Sequence, residues 1–263
     1  MRIMFLNHQP RQPGKRPEVS DEEVEAGLKK YASPGTEIEV HWPDDYRGAR
    51  AKVIMDAENV QNGLDHIVEP LPLMRKIKWA EENGFDAVLQ GNTFDPGVEG
   101  GRLVARIPVV GVTKTALHIA ATMCDRIGVT VPLACHVKEV QRNLHLYKMD
   151  RFVTDVRFIG DYGRGMAKRR DEIIEKTCAL IRALVKETGA EMILPLGGAL
   201  IPILIDTSIL EKETGVPIIN TKAIGIAFTE MCVRLKLTHS PLAYEYFPAL
   251  TSKHLHQFAY KDD

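Results

Sequence analysis

Residues Gly84–Gly97 read GFDAVLQGNTFDPG, and Arg106–Ala120 read RIPVVGVTKTALHIA. The apolar run Phe85–Gln90 (FDAVLQ) follows a glycine and ends in a loop of small residues, GNTFDPG, from Gly91. A short apolar run bounded by turn residues reads as a strand buried on both faces. Ile107–Val110 (IPVV) is a second such strand, and Lys114–Met123 (KTALHIAATM) has helical period. Short buried strands alternating with helices imply a parallel sheet covered on both sides.

The same parts recur downstream. GAEMILP begins at Gly189, 105 residues after GFDAVLQ at Gly84. It is followed by the loop LGGALIP from Leu196 and by a second Pro-containing strand, VPII, at Val216. A period this long is not that of a solenoid; it implies two similar α/β lobes. Ligands in open α/β sheets bind at the carboxyl ends of strands, so both small-residue loops are expected to face one cleft. Further strands are read at Arg2–Leu6, Thr36–His41, Ile127–Val131, Phe152–Phe158 and Met192–Leu196. Helices are read at Asn59–Glu82, broken around Pro70 and Pro72, and at Val137–Tyr147, Ala167–Thr188 and Ile224–Leu237. The expected fold class is α/β. It has two pseudo-symmetric Rossmann-like lobes, each a mainly parallel sheet flanked by helices, with the active-site cleft between them. Residues 1–113 with 225–263 make the first lobe and residues 114–224 the second.

Composition narrows the function. The chain has 263 residues, 44% hydrophobic and 26% charged, as expected of a folded soluble protein. Its 34 basic and 35 acidic residues leave a net charge of −1, which gives no electrostatic case for nucleic acid or an anionic membrane. No apolar run is long enough to span a bilayer. The start, MRIMFLNHQP, is too short in its apolar part for a signal peptide, so a cytoplasmic location is expected. Cys124, Cys135, Cys178 and Cys232 form no CxxC pair, which argues against a zinc knot or a disulfide framework. No HExxH, EF-hand, Walker or G-x-G-x-x-G motif is present, so neither a metal nor any other cofactor is expected.

The quoted stretches are where the chain resembles the aspartate/glutamate/hydantoin racemase superfamily, and the hydantoin racemase branch most. GFDAVLQGNTFDPG resembles a family pattern G-[YF]-D-A-[VI]-x-x-x-C-x-x-D-P-G, followed by [IV]-P-V-V-G and an Ala-rich helix. GAEMILPLGGALIP at Gly189–Pro202 resembles G-A-D-x-[IV]-x-L-G-C-[AT], and GVPIINTKAIGIAF at Gly215–Phe228 is the third matching stretch. The resemblance spans most of the chain in order and spacing. It implies a reaction in which two cysteines, one per lobe, act on opposite faces of the substrate carbon. In this sequence those positions fall on Asn92 and Gly197, and a one-residue shift reaches only Gly91 or Gly198. Neither side chain exchanges a proton near neutral pH. The chain thus resembles a divergent member lacking both catalytic cysteines, and two-thiol racemization is not expected. Arylmalonate decarboxylases, another branch, keep one cysteine; this chain lacks that one too.

What the resemblance leaves is a cradle for a substrate oxygen. Asn92 and Thr93 are suitable donors from the first loop, and Gly197, Gly198 and Ala199 could add backbone N–H groups if the second loop opens a helix. Replacement acids and bases are sought among His8, at the end of the first strand, and Cys135 and His136, at the matching place in the second lobe. His239 is added because the family's C-terminal segment passes near the cleft, as are Tyr244 and Tyr246 as contacts. Asn7, Thr130 and Asn220 complete the candidate substrate-binding set with Asn92, Thr93, Gly197, Gly198 and Tyr244. Plainer roles are expected elsewhere. Asp95-Pro96-Gly97 reads as a turn, His118 as a buried helix histidine, and His66 and His145 as helix-surface groups. His254 and His256 read as a solvated tail, and Asp161–Arg170 as a basic helix entry.

The expected function is a cofactor-independent, homo-oligomeric enzyme acting on a small carboxylate or cyclic amide through an enolate-like oxyanion, as isomerase or lyase. Two alternatives stand beside it. One is a hydrolase of a small amide or ring using His8 or the Cys135/His136 pair. The other is a non-catalytic small-molecule binding protein.

Overall fold

The computed structural model describes residues 1–8, 20–43, 70–163 and 165–259. The stretch from Asn59 to Glu69, with His66, lies outside the described residues. The chain divides into two compact units. Val112–Ile224 forms the core of one, and the flanking residues, including Asp21–Gly111 and Gly225–Asp263, form the other.

The first unit is built on a parallel sheet of order β2-β1-β3-β4. Its strands are β1 (Arg2–Leu6), β2 (Glu37–His41), β3 (Ala87–Gln90) and β4 (Val109–Gly111). β1 and β3 are buried nearly throughout, which is why they read as continuous apolar runs rather than alternating ones. Helices α1 (Asp21–Lys29), α2 (Pro70–Glu82) and α3 (Val98–Val104) belong to this unit. Leu73, Ile77 and Ala80 of α2 pack with Met4, Leu6, Phe85, Val88 and Val109 into one core.

The second unit is built on a parallel sheet of order β6-β5-β7. Its strands are β5 (Ile127–Val131), β6 (Val153–Phe158) and β7 (Met192–Pro195), with helices α4 (Val112–Ala120), α5 (Ala134–Tyr147), α6 (Arg170–Thr188) and α7 (Thr207–Thr214). α6 stops at Gly189 in a left-handed conformation whose N–H bonds the Val185 carbonyl. Ile173, Ile181, Leu184, Ile193 and Leu210 are part of its core. α8 (Thr221–Arg234) and α9 (Ser252–Ala259) complete the described chain.

The sequence repeat is a repeat of hydrogen bonds. β3 and β7 occupy positions 105 residues apart. Gly91 N–H donates to the Leu6 carbonyl at 2.7 Å, and Leu196 N–H donates to the Thr130 carbonyl at 2.8 Å. Val88 N–H donates to Pro108 and Ile193 N–H to Pro217, both at 2.9 Å. Asn92 and Gly197 thus stand two residues beyond equivalent strand ends.

Three expectations need correction. Val216–Ile219 is not a full strand: it makes a single parallel bridge, Ile193 with Ile218, because α8 begins at Thr221 and takes the chain away. His118 is exposed, not buried, and its Nδ1 lies 2.7 Å from the Lys114 carbonyl of its own helix. His254 and His256 are not in a loose tail but in α9. That helix is tied to α2 where Ser252 N–H and Oγ both bond the Glu82 carboxylate, and Leu255 is buried.

Candidate active site

At the carboxyl end of the first sheet, β1 runs into Asn7 and His8, both partly buried. Asn7 N–H continues the strand ladder to the His41 carbonyl at 2.9 Å. β3 runs into Gly91, Asn92 and Thr93. The Asn92 side chain closes an Asx turn: Phe94 N–H donates to its Oδ1 at 2.7 Å. Asn92 N–H donates to Gln90 Oε1 at 2.6 Å, and Asp95 N–H to the Asn92 carbonyl at 3.2 Å. With Oδ1 spent, the carboxamide Nδ2 of Asn92 has no acceptor among the described residues. Thr93 and Asp95 are buried. Asp95 packs against the end of β4, where any Cβ at Gly111 would lie 2.6 Å from its Cγ. The Asp-Pro-Gly stretch is therefore a packed turn, as its composition suggests.

The second sheet presents a different set. β7 leads to Gly197, at φ +98°, where a Cβ would fall 2.3 Å from Pro132 Cγ; only glycine fits that approach. The Gly197 carbonyl accepts from Leu200 and Ile201, opening a short irregular helix, Ala199–Leu204. The N–H groups of Gly198 and Ala199 have no acceptor among the described residues. β5 leads to Cys135 and His136 in the first turn of α5. His136 is buried and meets Tyr162 edge to face at 6.4 Å between ring centres, whereas Cys135 is partly exposed. Thr130 is fully buried on β5, and its hydroxyl has no partner among the described residues.

Other candidates hold structural posts. The Asn220 carboxamide oxygen accepts from the N–H groups of Lys222 and Ala223, so it caps α8. His239 Nε2 bonds the Ala105 carbonyl at 2.7 Å. The Tyr244 hydroxyl bonds the Glu99 carboxylate at 2.5 Å and accepts from Arg102 at 3.1 Å. Burial first, and the Glu99 bond second, raise the Tyr244 pKa. Tyr246 sits beside the buried Lys78, whose Nζ donates to it at 2.9 Å and to Glu81 at 2.6 Å. Burial alone would lower the Lys78 pKa, but these two bonds outweigh it and the net direction is upward. These bonds tie the C-terminal segment to α2 and α3. At the basic helix entry Arg169 pairs with the Asp161 carboxylate at 2.7 Å and holds its pKa low.

Burial raises the pKa of the Cys124, Cys178 and Cys232 thiols, which disfavours their thiolates. Among the described residues, no group of three His, Cys, Asp or Glu side chains is placed to hold a metal ion. No described helix is long and apolar enough to cross a membrane. Gln90 stands out only in the structure. Its one signal was a polar residue closing an otherwise apolar strand.

Residues 24–229 match the family model for Asp/Glu/Hydantoin racemase. The chain belongs to this racemase family. The hydantoin racemase of Pseudomonas sp. (strain NS671) is 28% identical over 193 residues, 73% of this chain and 76% of that one. The hydantoin racemase of Rhizobium meliloti is 28% identical over 175 residues, 65% of this chain and 70% of that one. Among solved structures, the allantoin racemase of Pseudomonas fluorescens superposes with a TM-score of 0.79 at 24% identity, covering 95% of this chain and 99% of that one. A liganded arylmalonate decarboxylase variant gives 0.59 at 13% identity, covering 88% of this chain and 92% of that one. At such identities the superpositions speak for a common fold.

Proposed function

We propose that this racemase-family chain is an isomerase that removes and returns a proton on a carbon beside a carbonyl, in a small carboxylate or cyclic amide, without a thiol pair. The observation that carries it is Asn92: at the strand end where a family thiol is expected, it offers an N–H donor whose companion oxygen is locked in a turn. A fixed donor at that place suits the oxyanion that forms when the carbon loses its proton. Gly198 and Ala199 N–H groups are further donors of the same kind. Proton transfer is assigned to His8, in the same unit as Asn92; His136 and Cys135 are the titratable groups that follow the matching strand of the second unit. One group takes the carbon-bound proton, the electron pair moves onto the carbonyl oxygen, and a protonated group returns a proton to the carbon. The hydantoin racemase relatives favour a cyclic amide over a free amino acid.

The test is carbon-bound proton exchange in deuterated water, followed by NMR, with hydantoins substituted at the ring carbon, allantoin, and small amino acids. Exchange at the ring carbon that survives alkylation of the cysteines is the expected result. Exchange abolished by alkylation would assign the chemistry to Cys135. Ring-opened product without exchange would make the chain a hydrolase, and binding without either would make it a binding protein.

A further inference from the structure

Gln90 closes β3 and is completely buried, at 0% exposure. Its Oε1 accepts from Asn92 N–H at 2.6 Å, while its Nε2 has no partner among the described residues. The orientation of the carboxamide is not arbitrary. Turned over, it would set an NH2 against the Asn92 N–H, donor against donor, so the acceptor must face the loop and the donor must be the end left over. A buried, unspent amide donor is costly and rare in a folded protein.

The fold itself does not require that donor. Gln90 pairs with Leu6 on the last rung between β1 and β3; the corresponding last rung between β5 and β7 pairs Thr130 with Pro195. In the second unit, then, the strand-end position of Gln90 is filled by a proline with no side-chain polar group. The strand still closes with the same backbone bond, Leu196 N–H to the Thr130 carbonyl. On that second rung the buried, unpartnered polar atom is the Thr130 hydroxyl. Each sheet thus carries, on the last rung before its candidate loop, a buried hydrogen-bonding group with no partner among the described residues.

We propose that Gln90 is a ligand-binding residue: its Nε2 donates to a carbonyl or carboxylate oxygen of the substrate, while its Oε1 holds the Asn92 loop in place. This rests on the isomerase reading above and adds to it a second side-chain donor, next to Asn92, for the same class of oxygen. The substrate class follows from the chemistry. An NH2 donor with no accompanying free acceptor suits an oxygen that only accepts.

Two variants separate the roles of the two ends of this side chain. Gln90→Glu keeps an acceptor for Asn92 N–H but replaces the donor with a carboxylate oxygen; Gln90→Met removes both ends at nearly the same size. Calorimetric titration of native protein and both variants with a ring-carbon-substituted hydantoin, allantoin and malonate, alongside thermal melts, reads the result. The expected outcome is native binding of at least one probe, weakened about tenfold or more in both variants, with the melting temperature of Gln90→Met lowered as Asn92 N–H loses its acceptor. If Gln90→Glu binds as the native chain does, the side chain only holds the loop and the proposal is overturned while the isomerase reading stands. If the native chain binds none of the probes, the isomerase reading falls and this proposal falls with it. Should Gln90→Met not fold, Gln90→Glu alone decides between the two.

Discussion

His239 Nε2 lies 2.7 Å from the Ala105 carbonyl oxygen, so the ring carries hydrogen on that nitrogen and donates it to the end of α3. Burial, the foremost influence, holds the His239 pKa below the ordinary value of 6.5. Such a group takes up its proton more readily unfolded than folded. Its stabilising contribution is complete above its ordinary value and is lost as pH falls from there toward the folded-state pKa. Thermal melts between roughly pH 7.5 and 5 should show this loss, and His239→Gln, which keeps an N–H for Ala105, should flatten it. A variant with the native pH slope would mean the ring is not the titrating group.

Asn92→Asp keeps an acceptor for Phe94 N–H and removes the Nδ2 donor. Ligand affinity should fall by on the order of 10- to 150-fold, the cost of losing one donor to a charged oxygen, with the melting temperature unchanged. Asn92→Ala loses both ends and should also cost about 1 kcal/mol of stability in denaturant titration. Full affinity in Asn92→Asp would remove the first loop from the site.

His8→Asn and His136→Asn should lower the turnover number far more than they raise the Michaelis constant, because proton transfer is felt only in the transition state. Steady-state kinetics on the substrate found by proton exchange decides it. If either variant turns over at the native rate, that histidine is not an acid or base, and Cys135→Ser is the next to measure.

Gly197→Ala should destabilise the chain by on the order of 2–4 kcal/mol, since a Cβ there combines an unfavourable φ with a clash against Pro132. Gly215→Ala is the control: its φ is +71° but nothing lies within 4 Å, so only about 1 kcal/mol of backbone strain is expected. Equal losses in urea titration would mean the Pro132 approach is not tight.

Much of this architecture was legible in the sequence because it rests on strands buried on both faces, whose apolar runs are unmistakable. β1 and β5 fall on the expected residues, and β3 and β7 keep the 105-residue offset. The loops after them could be located for the same reason. What each polar side chain does was not legible, because that depends on partners far away in sequence. The Asn220 oxygen caps α8 and the His239 ring bonds Ala105, 134 residues earlier, contacts that no local pattern signals. α9 escaped notice because its hold on α2 comes from Glu82, 170 residues from Ser252. Gln90 escaped because a polar residue at a strand end is ordinary; only its burial and its idle nitrogen set it apart.

The first unit is assembled from both ends of the chain. Ser33 bonds Glu230, Lys78 bonds Tyr246 and Ala105 bonds His239, so each partner in the early part waits for one made more than a hundred residues later. During synthesis the second unit, continuous from Val112 to Ile224, has all its strands available while the first still lacks its closing segment. The middle of the chain can therefore consolidate before the first unit is complete, and the contacts from Ser33, Lys78 and Ala105 form only once the C-terminal segment has been made.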